Sequence, residues 1–206
     1  MPAKTTRPAA PGVRREKADT AQRILDTAEQ LLQVRGFNAF SYAHVAAELG
    51  VTKASLHYHF PGKAELGKAL VSRYADRFAR ALEEIDSDGD LAPSKLTAYA
   101  NLYANALRDH RMCLCGMLAA EYQTLPEPIS GAVVEFFDDN ETWLERVLEQ
   151  GRADDTLKFD GSANDMARLI ISGLEGAMLI ARPYGDLRRF QTTATTLLAN
   201  LATDAH

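Results

Sequence analysis

The sequence predicts an all-α chain of about nine helices: a three-helix helix-turn-helix head joined by one long helix to a C-terminal helical bundle. Three observations predict this. Between Ser41 and Lys63, in SYAHVAAELGVTKASLHYHFPGK, two short helical segments meet at a glycine. From Pro93 to the C-terminus every apolar run keeps a helical period, and none alternates like a strand. The charge is also divided. Residues 1–80 hold 13 Lys and Arg against 7 Asp and Glu, a net +6, whereas residues 81–206 hold 10 against 21, a net −11. A basic part joined to an acidic one reads as a phosphate-facing module attached to something that is not.

Composition sets outer limits. A length of 206 residues, 46% hydrophobic and 25% charged, suits one or two globular domains with a sizeable core. No run of about 18 apolar residues exists, so no membrane span is expected. The N-terminal cations are not followed by an apolar stretch, and the expected compartment is the cytoplasm. Cys113 and Cys115 lie too close in sequence to form a disulfide framework. They have no second cysteine pair or histidine cluster to complete a metal site. With no nucleophile–base motif and no glycine-rich phosphate loop, the chain is expected to be no enzyme and to need no cofactor or metal.

Residues 1–16, with Pro2, Pro8 and Pro11 among Lys4, Arg7, Arg14 and Arg15, lack apolar periodicity and read as a disordered basic arm. That arm is either a contact for DNA backbone or minor groove, or a solvated tail. Residues 17–63 form the head. Helix 1, about Ala18–Arg35, carries Ile24, Ala28, Leu31 and Leu32 on one stripe and ends at Gly36. Helix 2, Tyr42–Leu49, follows Ser41 as N-cap and stops at Gly50, where a left-handed residue belongs. Helix 3, Lys53–Phe60, is capped by Thr52 and turns Leu56 and Phe60 inward. Its other surface carries Lys53, Ser55, His57, Tyr58 and His59, a face suited to a DNA major groove.

Residues 64–206 form the body. Helix 4 runs from Lys63 to about Ile85, long enough to act as a lever on the head. Helices 5 to 9 read as Pro93–Asp109, Cys115–Thr124, Pro128–Arg152, Gly161–Ala181 and Tyr184–Thr203. Helix 8 is apolar over nearly its whole circumference, through Leu169, Ile170, Ile171, Leu174, Met178, Leu179 and Ile180. A helix buried on every side implies one face on its own core and one on a second subunit. Gly173, Gly176 and Ala177 would let that subunit approach closely. Helix 9, with a single stripe from Phe190 to Leu201, would join it in a four-helix dimer interface.

Two stretches, AQRILDTAEQLLQVRGF and VAAELGVTKASLHYHFPGKAEL, with Leu56, Tyr58, Phe60 and Lys63 in an L-x-Y-x-F-x-x-K frame, resemble the DNA-binding head of the tetracycline-repressor (TetR/AcrR) family. The resemblance implies an Ω-shaped homodimer that pairs through helices 8 and 9. It also implies a repressor of palindromic double-stranded operator DNA and an inducer pocket among helices 4 to 8. By position, Thr52, Lys53, Ala54, Ser55, His57 and Tyr58 fall where the family meets base edges and nearby phosphates. Ser41, Tyr58, His59 and Lys63 fall where it meets the backbone. His57 replaces a frequent aromatic. A regulator without an inducer, or an activator, would carry the same head.

The stretch CLCGMLAAEYQTLPEPI with GLEGAMLIAR is similar to a subset of that family that includes the repressor of the N-ethylmaleimide-reductase operon. In that subset a cysteine here responds to electrophiles or oxidants. Arg108, His110, Arg111 and a nearby helix start would favour thiolate at Cys113 or Cys115. A pocket for a small-molecule or electrophile inducer would draw on Tyr99, Tyr103, Cys113, Cys115, Met117, Tyr122, Phe137, Trp143, Glu175 and Met178. Glu175 stands out as an acid within an apolar helix, in need of a cation, a ligand group or an arginine such as Arg182.

Overall fold

The computed structural model describes residues 11–202, with side chains from Asp19 to Ala202, so the expected arm lies outside it as far as residue 10. Nine α-helices are described: α1 Pro11–Arg35, α2 Tyr42–Leu49, α3 Lys53–His59, α4 Lys63–Ser87, α5 Ala92–Arg108, α6 Leu114–Ala120, α7 Glu127–Ala153, α8 Ala163–Ala181 and α9 Leu187–Ala199. Two 3₁₀ turns, Tyr122–Thr124 and Arg182–Tyr184, follow α6 and α8.

The expected boundaries shift where local chemistry overrides periodicity. α1 starts at Pro11 and not near Ala18, so part of the expected arm is helical; proline suits a first helical turn, where no N–H is needed. α6 is shorter than expected because its last turn tightens to 3₁₀ geometry before Pro126. α9 begins three residues late. Gly185 takes the left-handed conformation at φ 59, and the Asp186 side chain then caps the helix by accepting from Arg188 N at 2.9 Å.

In the head, Ile24, Leu32, Phe37, Phe40, Val45 and Leu56 form a buried core. Ser41 and His44 complete a reciprocal capping box at α2. Gly50 takes φ 66 between α2 and α3, and Thr52 Oγ1 accepts from Ser55 N at 3.3 Å. Tyr42 fixes the far end of α3: its hydroxyl is shared between the carbonyls of Phe60 at 2.8 Å and Gly62 at 2.7 Å. Burial, then the charge of Glu65, pushes that phenol up to about 12, so it remains a donor.

The body packs α5, α7, α8 and α9 around a continuous core, with α4 lying on α7. At the far end of α4, Asp86 accepts from Lys95 Nζ at 3.1 Å, Trp143 Nε1 at 3.0 Å and Arg146 Nη2 at 2.7 Å. Burial alone would raise its pKa; those three donors outweigh it and hold the carboxyl below its usual range. At the head end, the loop before α6 meets α1. Gln33 Nε2 donates to Met112 O at 2.8 Å, and Met112 N donates to Gln33 O at 3.3 Å.

In the single chain the circumference of α8 divides into a buried and an exposed side, the exposed one being the face expected to meet a second subunit. Ile170, Leu174 and Met178 are buried, but Leu169, Leu179 and Ile180 are more than half exposed in the single chain. Gly173 admits α9, since a Cβ there would stand 2.8 Å from Leu197 Cδ2, whereas a Cβ on Gly176 would meet open space. The α9 stripe faces inward: Phe190, Ala194 and Leu201 are buried.

Candidate DNA interface and regulatory cavity

The face of α3 is set by its two ends. Leu56 is buried beneath it, while Thr52, Lys53, Ala54, His57 and Tyr58 are exposed and Ser55 and His59 half-buried. His57 is less free than its exposure suggests. Its Nδ1 lies 3.0 Å from Pro61 O, and its ring leans on Tyr42 with centroids 4.7 Å apart. A carbonyl only accepts, so Nδ1 carries the proton. Nε2 of the neutral ring is then an acceptor, and only the imidazolium donates to guanine or phosphate. Tyr58 and His59 pack edge to face at 5.2 Å.

Ser41 spends its hydroxyl partly on the capping box. Lys63, the first residue of α4, places its ammonium 4.5 Å from the Phe37 ring centroid and 4.7 Å from that of Phe40. Burial lowers its pKa, and Glu121 partly opposes this.

That glutamate is a residue the sequence reading missed. The Glu121 carboxylate, just past α6, accepts from Phe37 N at 2.6 Å and Asn38 N at 3.2 Å, and Asn38 Nδ2 donates to Thr124 Oγ1 at 2.7 Å. It thereby ties the α1–α2 loop of the head to the body. The one local signal was Gly36, whose φ of 88 turns the chain so that those N–H groups face α6.

A cavity of about 480 Å³ opens between α6, α7 and α8, lined by Met117, Phe137, Ile171, Glu175 and Leu179, with Gly116 beside the acid. Of the ten pocket residues read from sequence it gathers Met117, Phe137 and Glu175. Tyr99, Tyr103, Cys113, Cys115, Trp143 and Met178 are packed in the core behind it, and Tyr122 is 42% exposed in the turn after α6. Two hydrogen-bonded groups lie among the core residues. Tyr74 Oη donates to Cys113 Sγ at 3.6 Å, and Tyr99 Oη lies 3.0 Å from Tyr103 Oη and donates to Asn140 Oδ1 at 3.2 Å. Tyr99 stacks on Trp143 at 5.6 Å.

Glu175 sits between the cavity and Cys113. Gly116 leaves room for its carboxyl, which a Cβ would strike. Its Oε1 is buried without a hydrogen-bond partner. Arg182 does not reach it; that guanidinium donates to Val34 O and to Met117 Sδ. Burial, only partly offset by a hydrogen bond with Cys113, pushes the Glu175 carboxyl up to about 7. With the folded-state pKa raised, the bound proton contributes fully to stability below about pH 4.5, and that contribution is lost as the pH rises through about 7. The window corresponds to about 3 kcal/mol. Urea titrations across it should show the wild type losing stability and Glu175→Gln, which has no proton to lose, staying flat. Parallel curves for the two proteins would mean that the acid is solvated.

The cysteines depart from expectation. Both are buried and unpaired, and burial, followed by the charge of Glu175, pushes both thiols well above their ordinary value. Arg108, His110 and Arg111 lie on the surface side of the loop and do not offset this. Cys113 caps α6 instead, accepting from Gly116 N at 3.4 Å. Maleimide should therefore label the native chain slower than the urea-unfolded chain by about two orders of magnitude. Equal rates would show that the thiols are reached without unfolding.

Residues 24–70 match the family model described as bacterial regulatory proteins, tetR family, and residues 92–197 match one described as a tetracyclin repressor-like C-terminal domain. The chain is 28% identical over 168 residues to the transcriptional regulator AcuR of Cereibacter sphaeroides, covering 78% of this chain and 75% of that one. It is 27% identical over 168 residues to the HTH-type transcriptional repressor NemR of Escherichia coli, covering 80% and 84%. Among solved structures, a TetR-family transcriptional regulator from Agrobacterium tumefaciens superposes with a TM-score of 0.88 at 32% identity, covering 91% of this chain and all of that one. The reduced form of E. coli NemR superposes with a TM-score of 0.79 at 26% identity, with 91% and 100% covered.

Proposed function

The chain belongs to the TetR family of bacterial regulatory proteins and is a DNA-binding transcriptional regulator, and on that premise we propose that it is a dimeric repressor released from a palindromic operator by a small molecule. The observation that carries the inducer half of this reading is the unpartnered Glu175 oxygen beside an apolar cavity. An inducer with an apolar body and a hydrogen-bond donor would satisfy that oxygen and displace no ion pair. α6 gives the mechanism. Gly116 touches Glu175 near one end of it, and Glu121 just beyond the other end holds the α1–α2 loop. A ligand that shifts α6 pulls on the head. Capture of an electrophile at Cys113 or Cys115 is the covalent form of this reading and first needs α6 to open.

On the DNA side, Thr52, Lys53, Ala54, Ser55, His57 and Tyr58 read bases and nearby phosphates, while Ser41, Tyr58, His59 and Lys63 hold the backbone. α8 and α9 pair two copies. Selection from a random duplex pool tests the reading: an inverted repeat should emerge, bound at least about 10³-fold more tightly than bulk DNA. Recovery of no preferred sequence would overturn it. Lys63→Ala should weaken specific and non-specific binding alike and reduce the salt slope by about one phosphate. A changed base preference at an unchanged slope would assign Lys63 a different role.

A further inference from the structure

A second cavity, of about 510 Å³, lies at the junction of head and body and shares only Met112 with the one assigned to the inducer. Its walls come from the end of α1, the loop between α5 and α6, and the turn between α8 and α9. Val34, Leu107, Met112, Ala181 and Leu187 give it an apolar floor, and Val34 is left 43% exposed. Arg108, His110, Arg111 and Arg182 form its rim.

Residues 81–206 are net acidic, and Arg146, Arg168 and Arg189 each stand within 4 Å of a carboxylate, at Asp86, Glu141 and Asp186. At the cavity, Arg111 has Asp109. Arg108 and Arg182 have no carboxylate among the described residues. Arg108 donates to the neutral amide of Asn105, and Arg182 to the Val34 carbonyl and the Met117 thioether. Arg152 elsewhere in the body also rests on a carbonyl, that of Gly161, but the rim brings two such guanidiniums to one cavity. Asp186, the acid at the edge, is already occupied in capping α9. His110, on the rim, takes the left-handed region at φ 57, which a residue with a side chain rarely adopts. Two guanidiniums on neutral partners over an apolar floor match a ligand of opposite design.

We propose that this cavity is a binding site for an organic anion, a carboxylate or phosphate head on an apolar chain, with the head between Arg108 and Arg182 and the chain against Val34, Leu107 and Leu187. A carboxylate or phosphate accepts two parallel N–H bonds from a guanidinium, which an amide oxygen does not. The site borders Val34, so its occupant would also meet the carbonyl through which Arg182 holds α1.

Isothermal titration of the full-length protein with octanoate, octyl phosphate and 1-octanol tests this without DNA, so its outcome is independent of the operator reading. Both anions should bind at least about tenfold more tightly than the alcohol, and weaken as salt is raised. The tighter of the two identifies the head group, and either preference supports the site. Arg108→Gln and Arg182→Gln should each cut anion affinity about tenfold, leave the alcohol unchanged and keep the helical circular dichroism of the wild type. Arg108→Lys, which keeps the charge but loses the fork, should fall between. Phe137→Leu, in the other cavity, should bind the anions as the wild type does. Equal affinity for all three probes, or arginine variants that bind like the wild type, would overturn the proposal. So would loss of anion binding in Phe137→Leu.

Discussion

Glu29→Ala is expected to lower the stability of the fold by about 2–3 kcal/mol, the cost of leaving a largely buried guanidinium with one of its two carboxylates. Glu29 is 4% exposed, and its two oxygens are taken by Arg73 Nη2 and Arg77 Nη2, each at 2.5 Å. Arg73 is itself largely buried, and its Nε has no partner even in the intact site. Removing Glu29 leaves that guanidinium with Asp26 alone, at 2.6 Å and on the exposed side. Arg77 is half exposed and loses less, because water replaces what it gives up. Glu29→Gln, which keeps the shape but not the charge, should fall between alanine and wild type. The same pairing joins α1 to α4, and so fixes the head on its lever. Operator affinity should therefore fall for Glu29→Ala even at temperatures where the chain is folded. Urea unfolding decides the first point: a loss below about 1 kcal/mol would show the pair to be screened like a surface bridge.

The sequence displayed what is local and periodic. The caps at Ser41 and Thr52, the glycine turn at Gly50 and the inward Leu56 all depend on neighbours within four residues, and all are present. The charge split is likewise a sum over residues, with no geometry required. What escaped the reading joins distant segments. Glu29 meets Arg73 and Arg77 across more than 40 positions, Asp86 collects Trp143 and Arg146 across more than 50, and Glu121 reaches Phe37 across 84. No period records such pairs; only the packed fold brings them together. The cysteines failed for the same reason. Arg108 and Arg111 are near in sequence and suggested thiolate, but the end of α5 and the loop after it place them on the surface side, while Tyr74 of α4 and Glu175 of α8 meet the sulfur. Glu175 itself was legible as an anomaly, since an acid in an apolar helix needs an explanation. Its partner was not: Arg182 lies seven positions on, where a helix would bring it to the same side, but the chain has already entered the 3₁₀ turn.

Replacing Ile180 by aspartate is expected to separate the proposed dimer and lower operator affinity by about 10³-fold or more. Leu169, Leu179 and Ile180 are 51%, 56% and 61% exposed along one helix, and Gly176 on the same helix faces open space. A folded chain seldom leaves such apolar side chains uncovered along one helix, and a second copy covers them with the same face. α3 is only seven residues long, and Leu56 among them is buried. Two such helices on one rigid body bind the second half-site at a high effective concentration, and that advantage disappears with the interface. A buried aspartate opposite its own copy carries both desolvation and like-charge repulsion, which no side-chain adjustment removes. Leu91→Asp is the matched control, since Leu91 is 59% exposed but lies in the loop before α5. Sedimentation should give twice the 22.6 kDa chain mass for wild type and Leu91→Asp, and the single mass for Ile180→Asp. The monomer should retain the helical spectrum of the wild type and bind non-specific DNA weakly, through one head. An Ile180→Asp protein that still sediments as a dimer and holds its operator would place the interface on another face. The exposed side chains of α8 would then need a different partner.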